Sequence, residues 1–418
     1  MLFWGISTSW ERNTKIPITD WKSDLRADAA AYAIYLPGLF RYGFHAADLD
    51  SNDVKAAGHG FILDHGGDRL RTKCLYGVAL LELPFFLATD RCREPGNDAV
   101  FIDAHRRGVE VAAVVYWVSG LLLLGCALHR RFTPPLWAIL ISLLGISFAS
   151  NVFFYVIRQA GYSHVYAFFA VTLAIWGLVR AVGRPEARGR WVPFHLGTAL
   201  IMIIRPLDII AVAGLYAWIW AEDRAALKSW RFWLSQTAFG VVLVIPQLIY
   251  WKFAYGKLFV DSYPGEGFTN WANPYMLEVL FAPENGMLPY SPVLLFFPIG
   301  LWALYRSSPG SALAILGTFA LLAYACGSWW SWTFGCSFGN RPSVQYMPFV
   351  AWPLMAFLAQ NGPGWVRARF AIMPTFVLVC FLMYRLSLDA DPCWGDWGAW
   401  NWDRYARRLL EAFFGPIL

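Results

Sequence analysis

Long apolar stretches separated by short polar segments dominate the chain. Eight runs are long enough to cross about 30 Å of hydrocarbon: Val109–Leu128, Pro134–Val156, His164–Val182, Phe232–Trp251, Met287–Leu304, Gly310–Ser328, Gln345–Ala359 and Phe370–Leu386. A further run, Val192–Trp220, is interrupted by Arg205-Pro206-Leu207-Asp208 and predicts two helices that meet at a polar turn, because proline bends a helix. The pattern predicts an all-α polytopic transmembrane protein with about ten membrane helices.

Basic residues between these runs indicate an orientation. Arginine and lysine clusters follow alternate runs, at His129–Arg131, Arg180–Arg190, Arg224–Arg231, Arg306, and Arg367 with Arg369. The positive-inside rule makes that side cytoplasmic. The opposite, extracytoplasmic side then receives the segment before Val109, the Arg205–Asp208 turn, the loops 158–163, 252–286 and 329–344, and the C-terminal tail.

Composition supports a membrane protein, and the order of apolar runs divides the chain into three segments. The chain is 58% hydrophobic and 15% charged, against about a quarter charged in a soluble domain. The net charge of +6 comes without a long basic run, so nucleic acid is not an expected partner. We expect the end of a truncated first span plus an extracytoplasmic loop with interfacial helices at 1–108, a transmembrane domain at 109–386, and an extracytoplasmic tail at 387–418.

Cysteine and histidine spacing predicts no metal site and no cofactor, and leaves dependence on a divalent metal open. Four cysteines fall on the predicted outer side, where a disulfide is permitted: Cys74, Cys92, Cys336 and Cys393.

Candidate chemistry begins in the first outer loop. Asp24 and Asp28 are four residues apart, so a helix places both carboxylates on one face. They could accept a proton or hydrogen bond from a sugar hydroxyl, or they could simply be acids at a solvated helix start. Lys73 could pair with a lipid phosphate, or its side chain could snorkel to the interface.

Other outer segments add candidates. Arg205 lies inside an apolar run, which is costly unless the charge is paired, for example with Asp208, or marks a site. His164 stands at the outer end of a run, where an ordinary capping role is the alternative. Glu266 lies in a loop of turn formers, aromatics and acids, as carbohydrate sites have. Arg341 offers a fork for phosphate, with a snorkelling arginine as the alternative. Together they suit a phosphate-linked lipid substrate.

Several motifs make the chain resemble bacterial integral membrane glycosyltransferases of the GT-C superfamily, and more narrowly a GT-C-like group with Bacteroidetes-type motifs. The matching segments run from about Trp21 to Pro353: Asp28–Pro37 (with Ala33 for a tyrosine), Thr72–Leu80 (with Cys74 for a tyrosine), Ser163–Phe169, Arg205–Asp208, Pro246–Lys252, Leu280–Leu288 and Trp329–Arg341.

This resemblance implies a GT-C fold with a large first extracytoplasmic loop that bears amphipathic helices. It implies a polyprenyl-phosphate-sugar donor, a glycan, lipid or protein acceptor, and an inverting transfer at the outer face of the bacterial inner membrane. An acid in the first outer loop is then the acceptor base, for which Asp28 is the first candidate and Asp24 the second. Residues expected to contact the substrate or its phosphate are Lys73, Tyr76, His164, Arg205, Tyr263, Glu266 and Arg341.

Two other functions fit the same residues. A transporter or flippase of lipid-linked saccharide would also carry buried charge, although such folds usually show internal repeats, and none is visible here. A non-catalytic subunit of an envelope polysaccharide assembly would tolerate loss of both Asp28 and Arg341.

Overall fold

The computed structural model describes residues 1–14, 16–183, 189–261, 265–390 and 398–415. The longer helices are α1 (Leu2–Asn13), α5 (Gly77–Asp90), α6 (Asp103–Phe132), α7 (Leu136–Phe148), α9 (Ser163–Ala181), α10 (Val192–Ile204), α11 (Ile209–Glu222), α13 (Trp230–Tyr255), α16 (Phe297–Ser307), α17 (Pro309–Ser328), α18 (Met347–Leu358), α19 (Pro363–Asp389) and α20 (Trp402–Phe414). The short helices are α2 (Asp28–Ala33), α3 (Tyr35–Phe40), α4 (Ser51–Ala56), α8 (Val152–Arg158), α12 (Arg224–Leu227), α14 (Met276–Phe281) and α15 (Met287–Tyr290). Turns of 3-10 helix cover Pro206–Asp208, Pro292–Phe296 and Arg341–Tyr346.

The prediction of an all-α polytopic membrane protein is confirmed. Within the part of the chain that the structure describes, five helices are long and apolar enough to cross a bilayer, namely α6, α9, α13, α17 and α19, and the bent pair α7–α8 makes a sixth if it is one span. Shorter apolar helices occupy the remaining predicted runs, including α10 and the segment Pro292–Ser307. Each predicted run therefore contains a helix, although the shorter ones do not cross a membrane by length alone.

Breaks within the bundle occur where other groups satisfy the backbone. The α7–α8 pair bends by 59°, and at this bend Val293 N donates to the Ala149 carbonyl at 2.8 Å. Asn151 N donates to the Ser291 hydroxyl at 3.3 Å. Irregular backbone at membrane depth is tolerated where protein groups replace water in this way.

Helix α9 lies at the centre of the bundle and packs on α6 and α10. Glycines allow the α9–α10 approach, because a Cβ at Gly177 would lie 2.3 Å from Phe194 N and one at Gly197 2.6 Å from Ala174 N. Small residues of this kind let membrane helices approach closely. Helix α9 therefore provides a rigid axis whose N-terminal end begins at Ser163.

The segment between α1 and α6 folds against one end of this bundle. It contains α2 to α5 and a two-stranded antiparallel hairpin, β1 (Ile62–Asp64) with β2 (Arg69–Arg71), which the apolar pattern did not predict. Arg69 Nε donates to the Phe253 carbonyl at 3.1 Å and Arg71 Nε to the Ala254 carbonyl at 2.8 Å. Arginine side chains thus cap the C-terminal end of α13 and fix the hairpin to the bundle.

Candidate functional site

Asp28 lies at the centre of a cluster of charges at the end of the bundle covered by the first loop. Its Oδ1 lies 3.2 Å from Lys73 Nζ, and its Oδ2 lies 3.5 Å from Arg341 Nη2. Lys73 Nζ also lies 3.6 Å from Glu266 Oε1. Two cations therefore contact the Asp28 carboxylate, and Glu266 joins the cluster through Lys73, so four residues that are far apart in sequence meet here.

Local structure fixes Asp28. Ala27 precedes it with φ +51°, a conformation that costs a residue with a Cβ on the order of 1–3 kcal/mol. Ala27 N donates to the Ala57 carbonyl at 3.0 Å, and a Cβ at Gly60 would lie 2.4 Å from the Ala27 carbonyl oxygen. This tight contact sets the start of α2, where a carboxylate is also favoured by the helix dipole.

The loop that carries Lys73 is tied directly to α2. Thr72 Oγ1 donates to the Ala31 carbonyl at 2.7 Å, and Thr72 N donates to the Tyr250 hydroxyl at 2.9 Å. Lys73 follows strand β2, which is anchored to α13 as described above. The ammonium group is therefore held beside Asp28 by contacts on both sides of its loop.

Arg341 opens the 3-10 turn that leads into α18. Asn151 Nδ2 donates to the carbonyls of Phe338 and Asn340 at 3.3 and 3.2 Å, which fixes the preceding segment. The guanidinium lies 5.7 Å from the centre of the Tyr162 ring. Its Nε is buried without a hydrogen-bond partner among the described residues. A buried guanidinium donor in this state can donate a hydrogen bond to an anion.

The charges around Asp28 determine its protonation. Burial raises the pKa of Asp28, but the positive charges of Arg341 and Lys73 outweigh burial and lower the pKa below its ordinary value. Its side chain remains 28% exposed. Asp28 is therefore an ionised carboxylate that a ligand can reach.

Arg205 lies at the break between α10 and α11, because Pro206 forces the preceding residue into extended backbone. Its guanidinium lies 6.0 Å from the centre of the Phe334 ring. A cavity of about 200 Å³ adjoins it, lined by Tyr32, Leu75, Ile204, Arg205, Pro206, Trp251, Val260 and Asp261. Tyr32 is four residues after Asp28 on α2, so the two side chains share one face of the helix. The cavity therefore lies next to the Asp28 cluster and is mostly apolar apart from Arg205 and Asp261.

A buried polar chain supports His164. Gln345 Nε2 donates to both carboxylate oxygens of Asp208, at 2.8 and 3.1 Å. The amide oxygen of Gln345 then faces His164 Nδ1 at 3.1 Å. An amide oxygen only accepts, so this contact needs the proton on Nδ1. Arg205 Nη1 also lies 3.4 Å from Nδ1, and because a guanidinium only donates, that contact belongs to the other tautomer, in which Nδ1 accepts. Asp208 is thus hydrogen-bonded to Gln345, and among the described residues no ion pair joins it to Arg205.

Two of the predicted site residues lie outside the cluster. Asp24 is buried, accepts from Ala160 N at 2.9 Å and from Asn13 Nδ2 at 3.2 Å, and packs beneath the first loop. Burial raises its pKa to about 6. The Tyr76 hydroxyl donates to the Leu243 carbonyl of α13 at 2.6 Å. Both side chains are used in packing contacts. Tyr263 lies outside the described residues.

Some residues of the site were not predicted. Gln345 and Tyr162 contact the predicted cations or His164, and Gln345 was predicted only as the start of an apolar run. Its position four residues after Arg341, in the same short segment, was the available signal. Among the described residues, no group of three or more His, Cys, Asp or Glu side chains is placed to hold a metal ion. Cys336 is disulfide-bonded, whereas Cys74 and Cys92 are not part of a disulfide.

Solved structures share this arrangement of helices. ArnT from Cupriavidus metallidurans bound to undecaprenyl phosphate aligns with a TM-score of 0.52 at 12% identity, over 92% of this chain and 64% of that chain. The oligosaccharyltransferase of Archaeoglobus fulgidus in the apo form aligns with a TM-score of 0.54 at 12% identity, over 99% of this chain and 60% of that chain.

The fold is that of the GT-C membrane glycosyltransferases. The expected resemblance is thereby confirmed at the level of the fold, and the chain is a multi-pass membrane protein. The chain spans less than two thirds of the length of these GT-C structures. No family model matches the sequence, and no curated protein matches it.

Proposed function

We propose that this chain is a glycosyltransferase that takes a sugar from a polyprenyl phosphate and transfers it, with inversion, to an acceptor hydroxyl or amide at the outer face of the bacterial inner membrane. The observation that carries the proposal is the contact of Asp28 with both Lys73 and Arg341 beside a largely apolar cavity. One solved GT-C structure has undecaprenyl phosphate bound. A structure of the Archaeoglobus fulgidus oligosaccharyltransferase has a dolichol-phosphate and an inhibitory peptide bound.

The donor phosphate is assigned to the cations. Arg205 lines the cavity, whose other walls include Leu75, Ile204 and Trp251. This combination suits a phosphate followed by the first isoprene units of a lipid. The buried Nε of Arg341 offers a further donor. Charge-assisted hydrogen bonds from arginine to phosphate are about twice as strong as neutral ones.

Asp28 is assigned to the acceptor. The acceptor oxygen or nitrogen attacks C1 of the sugar while the bond from C1 to the phosphate oxygen breaks. Asp28 accepts the acceptor's proton, and the polyprenyl phosphate leaves with one additional negative charge. Arg205, Arg341 and Lys73 stabilise that developing charge. A single displacement of this kind inverts the anomeric carbon.

His164 is assigned to orientation of the donor. In the tautomer that donates from Nδ1 to Gln345, Nε2 accepts a hydrogen bond from a sugar hydroxyl. Asp24 and Tyr76 are assigned to structure, since both side chains already have hydrogen-bond partners, Asp24 at Ala160 N and Tyr76 at the Leu243 carbonyl.

The experiment uses the full chain in liposomes with a panel of undecaprenyl-phosphate-linked hexoses and pentoses, and a bacterial envelope extract as the source of acceptor. Mass spectrometry measures released undecaprenyl phosphate. We expect release from at least one donor, loss of release in Asp28→Asn, and retention in the exposed control Asp48→Asn. Movement of labelled lipid-linked sugar across the bilayer without release would support the transporter alternative and refute the proposal.

A further inference from the structure

A second cavity, of about 460 Å³, lies at the opposite end of the helix bundle from Asp28. The C-terminal ends of α6, α9 and α11, together with α18, form its walls. The length of α9 gives the distance between the two sites. His164 lies near the Asp28 cluster, and Val179, 15 residues later, lies at this cavity. At a rise of 1.5 Å per residue these positions are about 22 Å apart. The second cavity is therefore separate from the proposed reaction site.

Two arginines from the last turn of α6 make this cavity basic. Arg130 Nε donates to the Val179 carbonyl at 3.3 Å, and Arg131 Nη2 lies 3.5 Å from Glu222 Oε1. Glu222 also accepts from the hydroxyls of Ser308 and Ser311, at 3.0 and 2.6 Å. The carboxylate is thus satisfied within the protein. Two guanidiniums against one carboxylate leave the lining with one net positive charge and with spare N–H donors.

The inner wall of the cavity is aromatic and apolar. The buried rings of Trp218 and Trp352 pack edge to face, with centroids 4.9 Å apart, and Leu178 and Val179 complete the wall. A ligand that fits both ends needs an anionic head and an apolar body. The clusters of Arg and Lys at this end make it the cytoplasmic side by the positive-inside rule. An anionic membrane lipid is the available molecule with this chemistry.

We propose that this cavity binds the phosphodiester head of an anionic glycerophospholipid from the cytoplasmic leaflet. Arg130 and Arg131 contact the phosphate, and the glycerol and upper acyl chains lie against Trp218 and Trp352. The volume of about 460 Å³ falls within the ordinary range for ligand sites. Because α9, α11 and α18 also position the residues around Asp28, a lipid bound here contacts the same helices that carry the proposed reaction site.

The test uses the purified full chain in detergent, titrated separately with cardiolipin, phosphatidylcholine and inorganic phosphate. Native mass spectrometry measures bound lipid, and a thermal melt measures the shift in Tm. Cardiolipin should bind and raise Tm, whereas phosphatidylcholine and inorganic phosphate should not. The double variant Arg130→Ala/Arg131→Ala should weaken cardiolipin binding by about 25-fold, since each basic residue at a membrane surface contributes a factor of about 5.

The control is Arg224→Ala/Arg231→Ala, which removes the same charge from the same face. These arginines stack on the exposed rings of Trp220 and Trp230, away from the cavity. The variant Arg130→Lys/Arg131→Lys keeps the charge and should retain most of the affinity, which shows that loss in the alanine pair is not misfolding. An equal loss in the control pair, or an equal Tm shift with phosphatidylcholine or inorganic phosphate, would overturn the proposal.

Discussion

Replacing Asp28 with asparagine should greatly lower turnover, change the stability of the fold only slightly, and leave lipid binding intact or tighter. A general base contributes about 10²–10⁴ to a rate, which corresponds to about 2.7–5.4 kcal/mol. The substitution also removes the contacts with Lys73 at 3.2 Å and with Arg341 at 3.5 Å. These pairs are partly exposed, so each contributes at most about 1 kcal/mol to folding. Turnover should therefore fall by at least about 100-fold, while stability changes by no more than about 2 kcal/mol.

In the same variant, the affinity for undecaprenyl phosphate should increase. With the Asp28 carboxylate removed, Lys73 and Arg341 lose a competing negative charge and should bind the phosphate of the lipid more tightly, while Lys73 keeps its contact with Glu266. Relief of about 1 kcal/mol would tighten binding of undecaprenyl phosphate by up to about fivefold.

Three assays on one preparation check this prediction. They are release of undecaprenyl phosphate from a lipid-linked sugar, the Tm of the purified chain, and the Kd for undecaprenyl phosphate from native mass spectrometry. Asp48→Asn, an exposed change in the same loop, is the control. Full turnover in Asp28→Asn would refute the assignment of the base. A Kd that weakens in step with a lower Tm would show that Asp28 acts in folding alone.

Four further predictions concern the surroundings of Asp28. Arg205→Ala should weaken binding of undecaprenyl phosphate by about 10–150-fold, the effect of losing a charged hydrogen bond of about 1.5–3 kcal/mol; an unchanged Kd in native mass spectrometry would contradict it. Arg341 and Lys73 lower the pKa of Asp28 despite its burial, so the plot of rate against pH should show no acid limb from Asp28 between about pH 5 and 8. An apparent pKa in that range that shifts in Asp28→Glu would argue against this. Burial raises the pKa of Asp24 to about 6 from 3.8, so its contribution to stability is present below about pH 4 and is lost as pH rises to about 6; thermal melts should show that slope, and Asp24→Asn should flatten it. Gln345→Met leaves Asp208 without its amide donor and should lower stability by about 1–3 kcal/mol, measured by the change in Tm, with a smaller effect from the conservative change Gln345→Asn.

Much of the fold followed from hydropathy, because a helix that crosses hydrocarbon must be long and apolar. The broken run at Arg205–Asp208 was predictable for the same reason, since Pro206 interrupts the hydrogen bonds of a helix. The hairpin of β1 and β2 was not predicted. Its stability comes from Arg69 and Arg71, which reach the carbonyls of α13 about 180 residues away in sequence, and no local pattern encodes such a contact.

The site shows the same division between local and distant information. Residue type marked Asp28, Lys73 and Arg341, because charges beside apolar runs are costly without a partner. Sequence spacing could not distinguish Asp28 from Asp24, which are four residues apart. The difference arises from the start of α2, where Ala27 and Gly60 direct the chain so that Asp28 faces the cations. Asp24 instead meets the backbone of Ala160 and the side chain of Asn13.

The position of the lipid phosphate tests the proposed mechanism most directly. A cryo-electron microscopy map of the full chain in a nanodisc with undecaprenyl phosphate would locate it. The phosphate should lie within hydrogen-bonding distance of Arg205 and of Arg341 or Lys73, with the first isoprene units in the cavity beside Trp251. A map in which bound undecaprenyl phosphate leaves Arg205, Arg341 and Lys73 without any phosphate contact would contradict the account.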